Sequence, residues 1–143
     1  MKGRDAMQKI VVIDGQGGRM GKTVIEQLLS RFPDLELYGI GTNSIATAAL
    51  LKAGAVWAAT GENPVIVNSA DADIIIGPIG IVIANSLLGE ITPAMAAAIG
   101  SSKAYKILIP VNKCNHFIAG CQETNLSSYI SIVCGEVERR LKR

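Results

Sequence analysis

The sequence is poor in the side chains that most often recognise nucleic acids or carry out catalysis. Aromatic residues make up 4% of the 143 residues, and His116 is the only histidine. The basic residues are scattered, apart from Arg139, Arg140, Lys142 and Arg143 at the end, and the net charge is only +2. Nucleic-acid-binding surfaces combine a basic patch with aromatic side chains, so the composition gives no support to a nucleic-acid partner.

Cysteine is also scarce. Cys114, Cys121 and Cys134 are odd in number and match no paired metal-ligand spacing, so no metal is predicted and the thiols are interpreted as reduced. Residues 1–8 are polar and charged, which argues against a secretion signal and predicts a flexible N-terminal segment. We therefore expect a cytoplasmic protein.

The chain lacks a long hydrophobic run. The longest uncharged stretch, residues 74–89, contains Gly77, Pro78 and Gly80 and is too short to span a bilayer, so we expect no membrane association. The hydrophobic fraction is nevertheless 49%, which is high for a monomer of one domain. We therefore expect a homo-oligomer in which part of the apolar surface lies between subunits.

Glycine, by contrast, is abundant directly after the first apolar stretch. Residues 10–13 form a β-branched run that predicts a strand buried on both faces of a parallel sheet. Residues 20–32 have the apolar spacing of a helix. The junction between them holds four glycines, namely Gly15, Gly17, Gly18 and Gly21. Glycines permit a tight turn with exposed N–H groups, and a helix N-terminus favours an anion, so this junction predicts a phosphate-binding loop.

The spacing of the glycines distinguishes two nucleotide motifs. Gly15, Gly18 and Gly21 form G-x-x-G-x-x-G, a variant of the dinucleotide fingerprint. The P-loop motif would need a glycine at Gln16, so it fails by one residue. The interpretation we favour is a nucleotide, with NAD(P) preferred. The alternatives are a mononucleotide or other anion, and a turn that binds nothing.

Two resemblances follow from these residues. Gly18-Arg19-Met20-Gly21 resembles the cofactor loop of dihydrodipicolinate reductases, which use NADH or NADPH. Over its whole length the chain resembles a family of small uncharacterised bacterial proteins, a domain of unknown function with a Rossmann-like fold. That resemblance rests on the segments Asp14 to Lys22, Gly77 to Ile81, Gly89-Glu90-Ile91-Thr92-Pro93 and Ile109-Pro110-Val111-Asn112. It implies the fold and no established activity.

The alternation of strand and helix patterns predicts a doubly wound, mostly parallel sheet of about six strands in a three-layer αβα arrangement. Residues 73–77 form the predicted fourth strand, which would lie beside the first. Residues 81–88 are interpreted as a buried or subunit-facing helix. Residues 105–111 and 116–121 are joined by a short connection, which predicts an antiparallel hairpin at the sheet edge.

Eleven positions are predicted to contact the cofactor: Gly15, Gln16, Gly17, Gly18, Arg19, Met20, Gly21, Lys22, Thr42, Gly77 and Gly80. Lys22 would contact phosphate, and Gly77 and Gly80 would either border the same crevice or serve packing alone. The second strand lacks the acid that usually binds ribose and an arginine for a 2′-phosphate. Thr42 or Ser44 would contact a 2′-phosphate instead, or these residues are only a helix cap and its neighbours. Asp14 would hold a bridging metal ion, bond to ribose or cap a loop amide.

Groups for catalysis are few. No tyrosine is followed four residues later by lysine, and the paired histidines of dihydrodipicolinate reductases are absent. The cluster from Asn112 to His116 combines a cation, a thiol and a base, yet it also suits an ordinary hairpin. Three hypotheses therefore stay open: a nucleotide-binding protein, an interaction or regulatory module with a ligand-free Rossmann fold, and an oxidoreductase whose site is completed across an oligomer interface.

Overall fold

The computed structural model describes residues 8–111 and 115–142. The strands in these residues are β1 (Ile10–Asp14), β2 (Leu37–Gly41), β3 (Trp57–Thr60), β4 (Ile74–Pro78) and β5 (Tyr105–Ile109). The helices are α1 (Arg19–Arg31), α2 (Ser44–Ala53), α3 (Glu62–Ala70), α4 (Pro93–Ser101) and α5 (Leu126–Lys142). The predicted flexible segment, residues 1–8, lies almost wholly outside the described residues.

The strands form one sheet in the order β3-β2-β1-β4-β5, and every neighbouring pair is parallel. β1 lies in the middle, where Val12 is level with Gly39 of β2 on one side and Ile76 of β4 on the other. The direction of winding reverses between β1 and β4, which is the position where doubly wound folds bind ligands. The predicted Rossmann-like architecture and the placement of the fourth strand beside the first are confirmed.

Two details of the predicted fold differ from the structure. The described residues contain five strands rather than six, and residues 116–121 form no strand, so no antiparallel hairpin is found there. The predicted connection at Asn112, Lys113 and Cys114 lies outside the described residues. The predicted helix over residues 81–88 is replaced by a 3-10 helix, Ile79–Val82, followed by turns. The short connection before residue 116 fits a hairpin or an irregular loop, and the apolar run over residues 81–88 fits a helix or other local structures, so the sequence alone does not decide between them.

The core has two layers because β1 alternates its side chains between the faces of the sheet. Ile10 and Val12 pack with α1 and α5 on one face, and Val11 and Ile13 pack with α4 on the other. All four side chains are fully buried. Burial of such a side chain is worth about 1.5–3 kcal/mol, so β1 is a rigid base for the loop that follows it.

Local signals set the helix boundaries on the site's side of the sheet. The side chain of Asn43 accepts a hydrogen bond from the N–H of Ala46 and begins α2, which Gly54 ends. Thr92 accepts one from the N–H of Met95 and begins α4 with proline in the first turn. In the part of the chain that the structure describes, no helix has both the length and the apolar character needed to cross a membrane.

Candidate functional site

The glycine-rich loop connects β1 to α1 at the carboxyl end of the sheet. Gly18 has a left-handed backbone with φ 73°, and its N–H donates to the carbonyl of Gly15 at 2.9 Å. A Cβ atom at Gly18 would lie 2.8 Å from the Cα of Ala46 in α2. Gly18 is therefore required twice, once for the turn and once for the close approach of α1 to α2.

Asp14, the last residue of β1, links the two ends of the loop by hydrogen bonds. Its side chain is buried, with Oδ1 accepting from the N–H of Gly15 at 2.8 Å and Oδ2 accepting from the N–H of Gly21 at 2.7 Å. Burial raises the pKa of Asp14 above its ordinary value, against these two hydrogen bonds, which lower it. Of the roles predicted for Asp14, capping loop amides is the one seen. The N–H groups of Gly15 and Gly21 are therefore occupied and are not available to a ligand.

Glu90 closes the side of the loop that faces β2. Its Oε1 accepts hydrogen bonds from the N–H of Gln16 at 2.8 Å, the hydroxyl of Thr42 at 2.5 Å and the side-chain amide of Asn43 at 3.0 Å. Burial raises the pKa of Glu90, but the three hydrogen bonds lower it by more, so the pKa lies below its ordinary value. We call Gly15, Gln16, Thr42, Asn43 and Glu90 the closed side of the loop.

Space on the closed side is limited. A Cβ atom on Gly15 would lie 2.6 Å from Oγ1 of Thr42, 2.8 Å from Oε1 of Glu90 and 3.0 Å from Cδ1 of Leu87. The predicted contact of Thr42 with a 2′-phosphate meets a competitor, because its hydroxyl already donates to Glu90. Sequence reasoning missed Glu90, which lies 74 positions from its partner Gln16. The only signal was its place in one of the segments that carried the family resemblance.

The other side of the loop faces a cavity of about 330 Å³. In the described part of the chain, its lining residues are Asp14, Gly15, Gln16, Gly17, Gly18, Arg19 and Met20, together with Val111 after β5 and Leu126 at the start of α5. Gly15 and Gln16 thus border both sides of the loop. Within the described residues, the backbone N–H groups of Gly17, Arg19 and Met20 have no hydrogen-bond acceptor. We call these three residues, with Val111 and Leu126, the open side of the loop.

The open side has the properties of an anion site. The N–H groups of Arg19 and Met20 belong to the first turn of α1, where the helix dipole favours negative charge. The Arg19 side chain is exposed and, among the described residues, forms no ion pair. A Cβ atom on Gly17 would contact only the Arg19 side chain, at 3.8 Å, so Gly17 leaves its own N–H accessible.

A second cavity of about 460 Å³ lies between α1 and α5. It shares Leu126 with the first cavity, so the two adjoin. Its lining includes Thr23, Gln27 and Arg31, which lie one helical turn apart along α1. The open side of the loop therefore continues into a groove with a cation at its far end.

The remaining predicted positions lie away from the cavity. Lys22 is exposed on α1 but does not line it. Gly77 is buried in β4 and Gly80 in the 3-10 helix that follows it, and both lie outside the lining of the cavity. A Cβ atom on Gly77 would lie 2.5 Å from the carbonyl oxygen of Ile13, so the close approach of β4 to β1 explains that glycine.

The cluster predicted from Asn112 to His116 is described only in part. Residues 112–114 lie outside the described residues, whereas Asn115 and His116 are exposed and do not line the cavity. No group of three or more His, Cys, Asp or Glu side chains that could hold a metal ion occurs in residues 8–111 and 115–142.

Comparison with known proteins gives a family and a distant structural likeness. The model of the family described as Domain of unknown function (DUF3842) matches residues 9–142. Among the curated proteins, none matches the chain. A crystal structure of a Bacillus thuringiensis protein, provisionally assigned as an NADPH:quinone reductase, is 19% identical, with a TM-score of 0.41. The match covers 94% of this chain but 47% of that protein, so the chain spans about half of its length.

Proposed function

The chain belongs to the DUF3842 family of unknown function, and we propose that it binds a nucleotide through a phosphate held at the open side of the glycine-rich loop. The observation that supports this proposal is the group of three N–H donors on Gly17, Arg19 and Met20, which have no acceptor among the described residues and face a cavity. The N–H groups of the first helical turn have no acceptor within the helix, and a phosphate supplies several.

Charge supports the same proposal. The N-terminus of α1 carries a partial positive charge equivalent to about half an elementary charge, and Arg19 adds a full one. Asp14 does not oppose a ligand as strongly as a free carboxylate would, because both of its oxygens accept hydrogen bonds from the loop. A phosphate on the open side would therefore meet donors and a cation before it meets an uncompensated negative charge.

The proposal is one of binding rather than catalysis. Among the residues that the structure describes, Asp14 is the only acidic side chain lining the cavity, and none of the described lining residues is histidine, cysteine, serine or tyrosine. General acid or base catalysis needs a group of that kind within hydrogen-bond reach of the substrate. The chemistry, if the ligand is a cofactor, would be supplied by that cofactor and by residues beyond this lining.

The alternative, an interaction or regulatory module that binds no ligand, is favoured by a different observation. Three of the loop's N–H groups, those of Gly15, Gln16 and Gly21, are already bonded to carboxylates of this chain. Large apolar side chains are exposed elsewhere, with Trp57 at 46% and Leu88 at 95%. Exposed apolar side chains are typical of protein contacts where they form one continuous patch.

Calorimetric titration tests the proposal against this alternative. The panel contains AMP, GMP, CMP, UMP, FMN, NAD⁺ and NADP⁺. We expect at least one to bind, and we expect Gly17→Asp to weaken that binding by about tenfold or more, because a carboxylate would then compete for the open amides. Gly100→Asp is the matched control, since Gly100 is exposed on α4 with nothing within 4 Å of its Cβ position.

Each outcome is decisive. Binding that is lost in Gly17→Asp and kept in Gly100→Asp supports a phosphate at the loop. Absence of binding by the wild type at millimolar concentration for the whole panel contradicts the proposal and favours the interaction module. Equal binding by both variants would place the nucleotide away from the loop.

A further inference from the structure

The closed side of the loop lies across the path that dinucleotides follow in Rossmann folds. In those folds the ligand passes from the first glycine turn to the end of β2, where an acid bonds to ribose. The residues at that place here are Thr42 and Asn43, and both donate to the Glu90 carboxylate. The acid missing from β2 is thus supplied by the loop before α4, but its Oε1 is already bonded to the protein.

Glu90 is held firmly at this place. Its neighbours Leu87 and Ile91 are buried, at 4% and 0% exposure, in the core of the sheet face that carries α4. The N–H of Glu90 donates to the carbonyl of Leu87 at 3.1 Å, and the N–H of Ile91 donates to that of Ser86 at 3.2 Å. Displacement of the carboxylate would therefore break three side-chain hydrogen bonds and disturb packed neighbours.

Charge reinforces the obstruction. A carboxylate that accepts three hydrogen bonds stays ionised at neutral pH, in agreement with the lowered pKa of Glu90. A second phosphate group, or a ribose 2′-phosphate, placed at the end of β2 would meet this negative charge at close range. The open side offers the reverse conditions, with Arg19 at the loop and Arg31 at the far end of the adjoining groove.

We propose that Glu90 is a specificity-determining residue that restricts the glycine-rich loop to mononucleotides, whose base and ribose lie towards Leu126 and α5, and that excludes dinucleotides. This inference rests on the proposed function and deepens it. NAD(P), favoured by the sequence alone, is then the wrong size for the site. The two adjoining cavities, about 330 and 460 Å³, are on the scale of small-ligand pockets and supply room for a mononucleotide.

The test compares NAD⁺ with the mononucleotide of the panel that binds most tightly, on the wild type, Glu90→Ala and Glu90→Gln. We expect the wild type to bind the mononucleotide at least about tenfold more tightly than NAD⁺. Glu90→Ala should raise NAD⁺ affinity by about tenfold and change mononucleotide affinity by less than about threefold. Glu90→Gln keeps an acceptor oxygen and loses the charge, so its NAD⁺ affinity should fall between the two.

The outcomes separate this inference from the proposed function. Equal affinity of the wild type for NAD⁺ and the mononucleotide, or NAD⁺ affinity unmoved in a folded Glu90→Ala, overturns the role of Glu90 while nucleotide binding stands. No binding of any nucleotide by any form overturns both.

A measurement on the wild type alone covers the case in which Glu90→Ala fails to fold. In a titration followed by amide resonances, the mononucleotide should shift Gly17, Arg19 and Leu126 and leave Thr42 and Asn43 within the range of remote residues. Larger shifts at Thr42 and Asn43 than at Gly17 would contradict the inference.

Discussion

Gln16 and Gly17 are neighbours in one loop, yet only one of their N–H groups is bonded to a side chain that the structure describes. The N–H of Gln16 donates to Glu90, whereas that of Gly17 faces a cavity and has no acceptor among the described residues. A glycine fingerprint therefore predicts the geometry of a loop but not which of the loop's N–H groups are free to bind a ligand. Two carboxylates decide that, Asp14 directly before the loop and Glu90 from the loop before α4.

Valine substitutions at Gly17 and Gly18 test whether these two adjacent glycines have different roles, and we expect the loss of stability at Gly18 to be the greatest change. Gly18→Val should destabilise the protein by about 3 kcal/mol or more, because φ is 73° and a Cβ atom would lie 2.8 Å from the backbone of Ala46. Gly17→Val should cost less than about 1 kcal/mol, since its Cβ atom has space. Urea unfolding measures both, and equal losses would contradict the division of the loop.

Local features of the site could be predicted from the sequence, whereas contacts between distant residues could not. Strand, glycine turn, helix, the cap at Asn43 and the cap at Thr92 were all predictable, because each depends on residues close together in the chain. The role of Glu90 was not predictable, because its hydrogen bonds join residues 47–74 positions apart and its place in a segment typical of the family does not indicate those partners.

The turns that carry Glu90 were equally hidden. Asn85, Leu87, Leu88 and Gly89 all have positive φ. Leucine seldom adopts that backbone conformation, so a pattern of apolar residues over this stretch favoured a helix instead. The fold maintains the positive φ of Leu87 because its side chain is buried and packs close to Gly15.

The second prediction uses pH to examine the closed side. The folded-state pKa of Glu90 lies below its ordinary value of 4.5, so its carboxylate contributes stability that is complete above about pH 4.5 and is lost as the pH falls through the folded-state pKa. Glu90→Gln should therefore cost about 1 kcal/mol at neutral pH. The difference from the wild type should shrink in acid, as measured by urea unfolding at a series of pH values.

A difference that is independent of pH would show that the charge of Glu90 is not what holds the closed side together. A variant more stable than the wild type at neutral pH would contradict the hydrogen-bonded role directly.

The smallest expected effect compares two cations on α1. Arg19 lines the cavity and Lys22 does not, although both are exposed. Arg19→Ala should weaken nucleotide binding by about threefold to tenfold, whereas Lys22→Ala should change it by less than about twofold. Titration calorimetry with the tightest nucleotide measures both. A greater loss in Lys22→Ala would mean that the phosphate lies on a different face of α1.

A crystal structure of the wild type with its tightest nucleotide would show which of the loop's N–H groups hold the phosphate. We expect a phosphate within hydrogen-bond distance of the N–H groups of Gly17, Arg19 and Met20, with Glu90 still bonded to Thr42. A phosphate seated on Gln16, Thr42 and Asn43 in place of the Glu90 carboxylate would contradict this expectation.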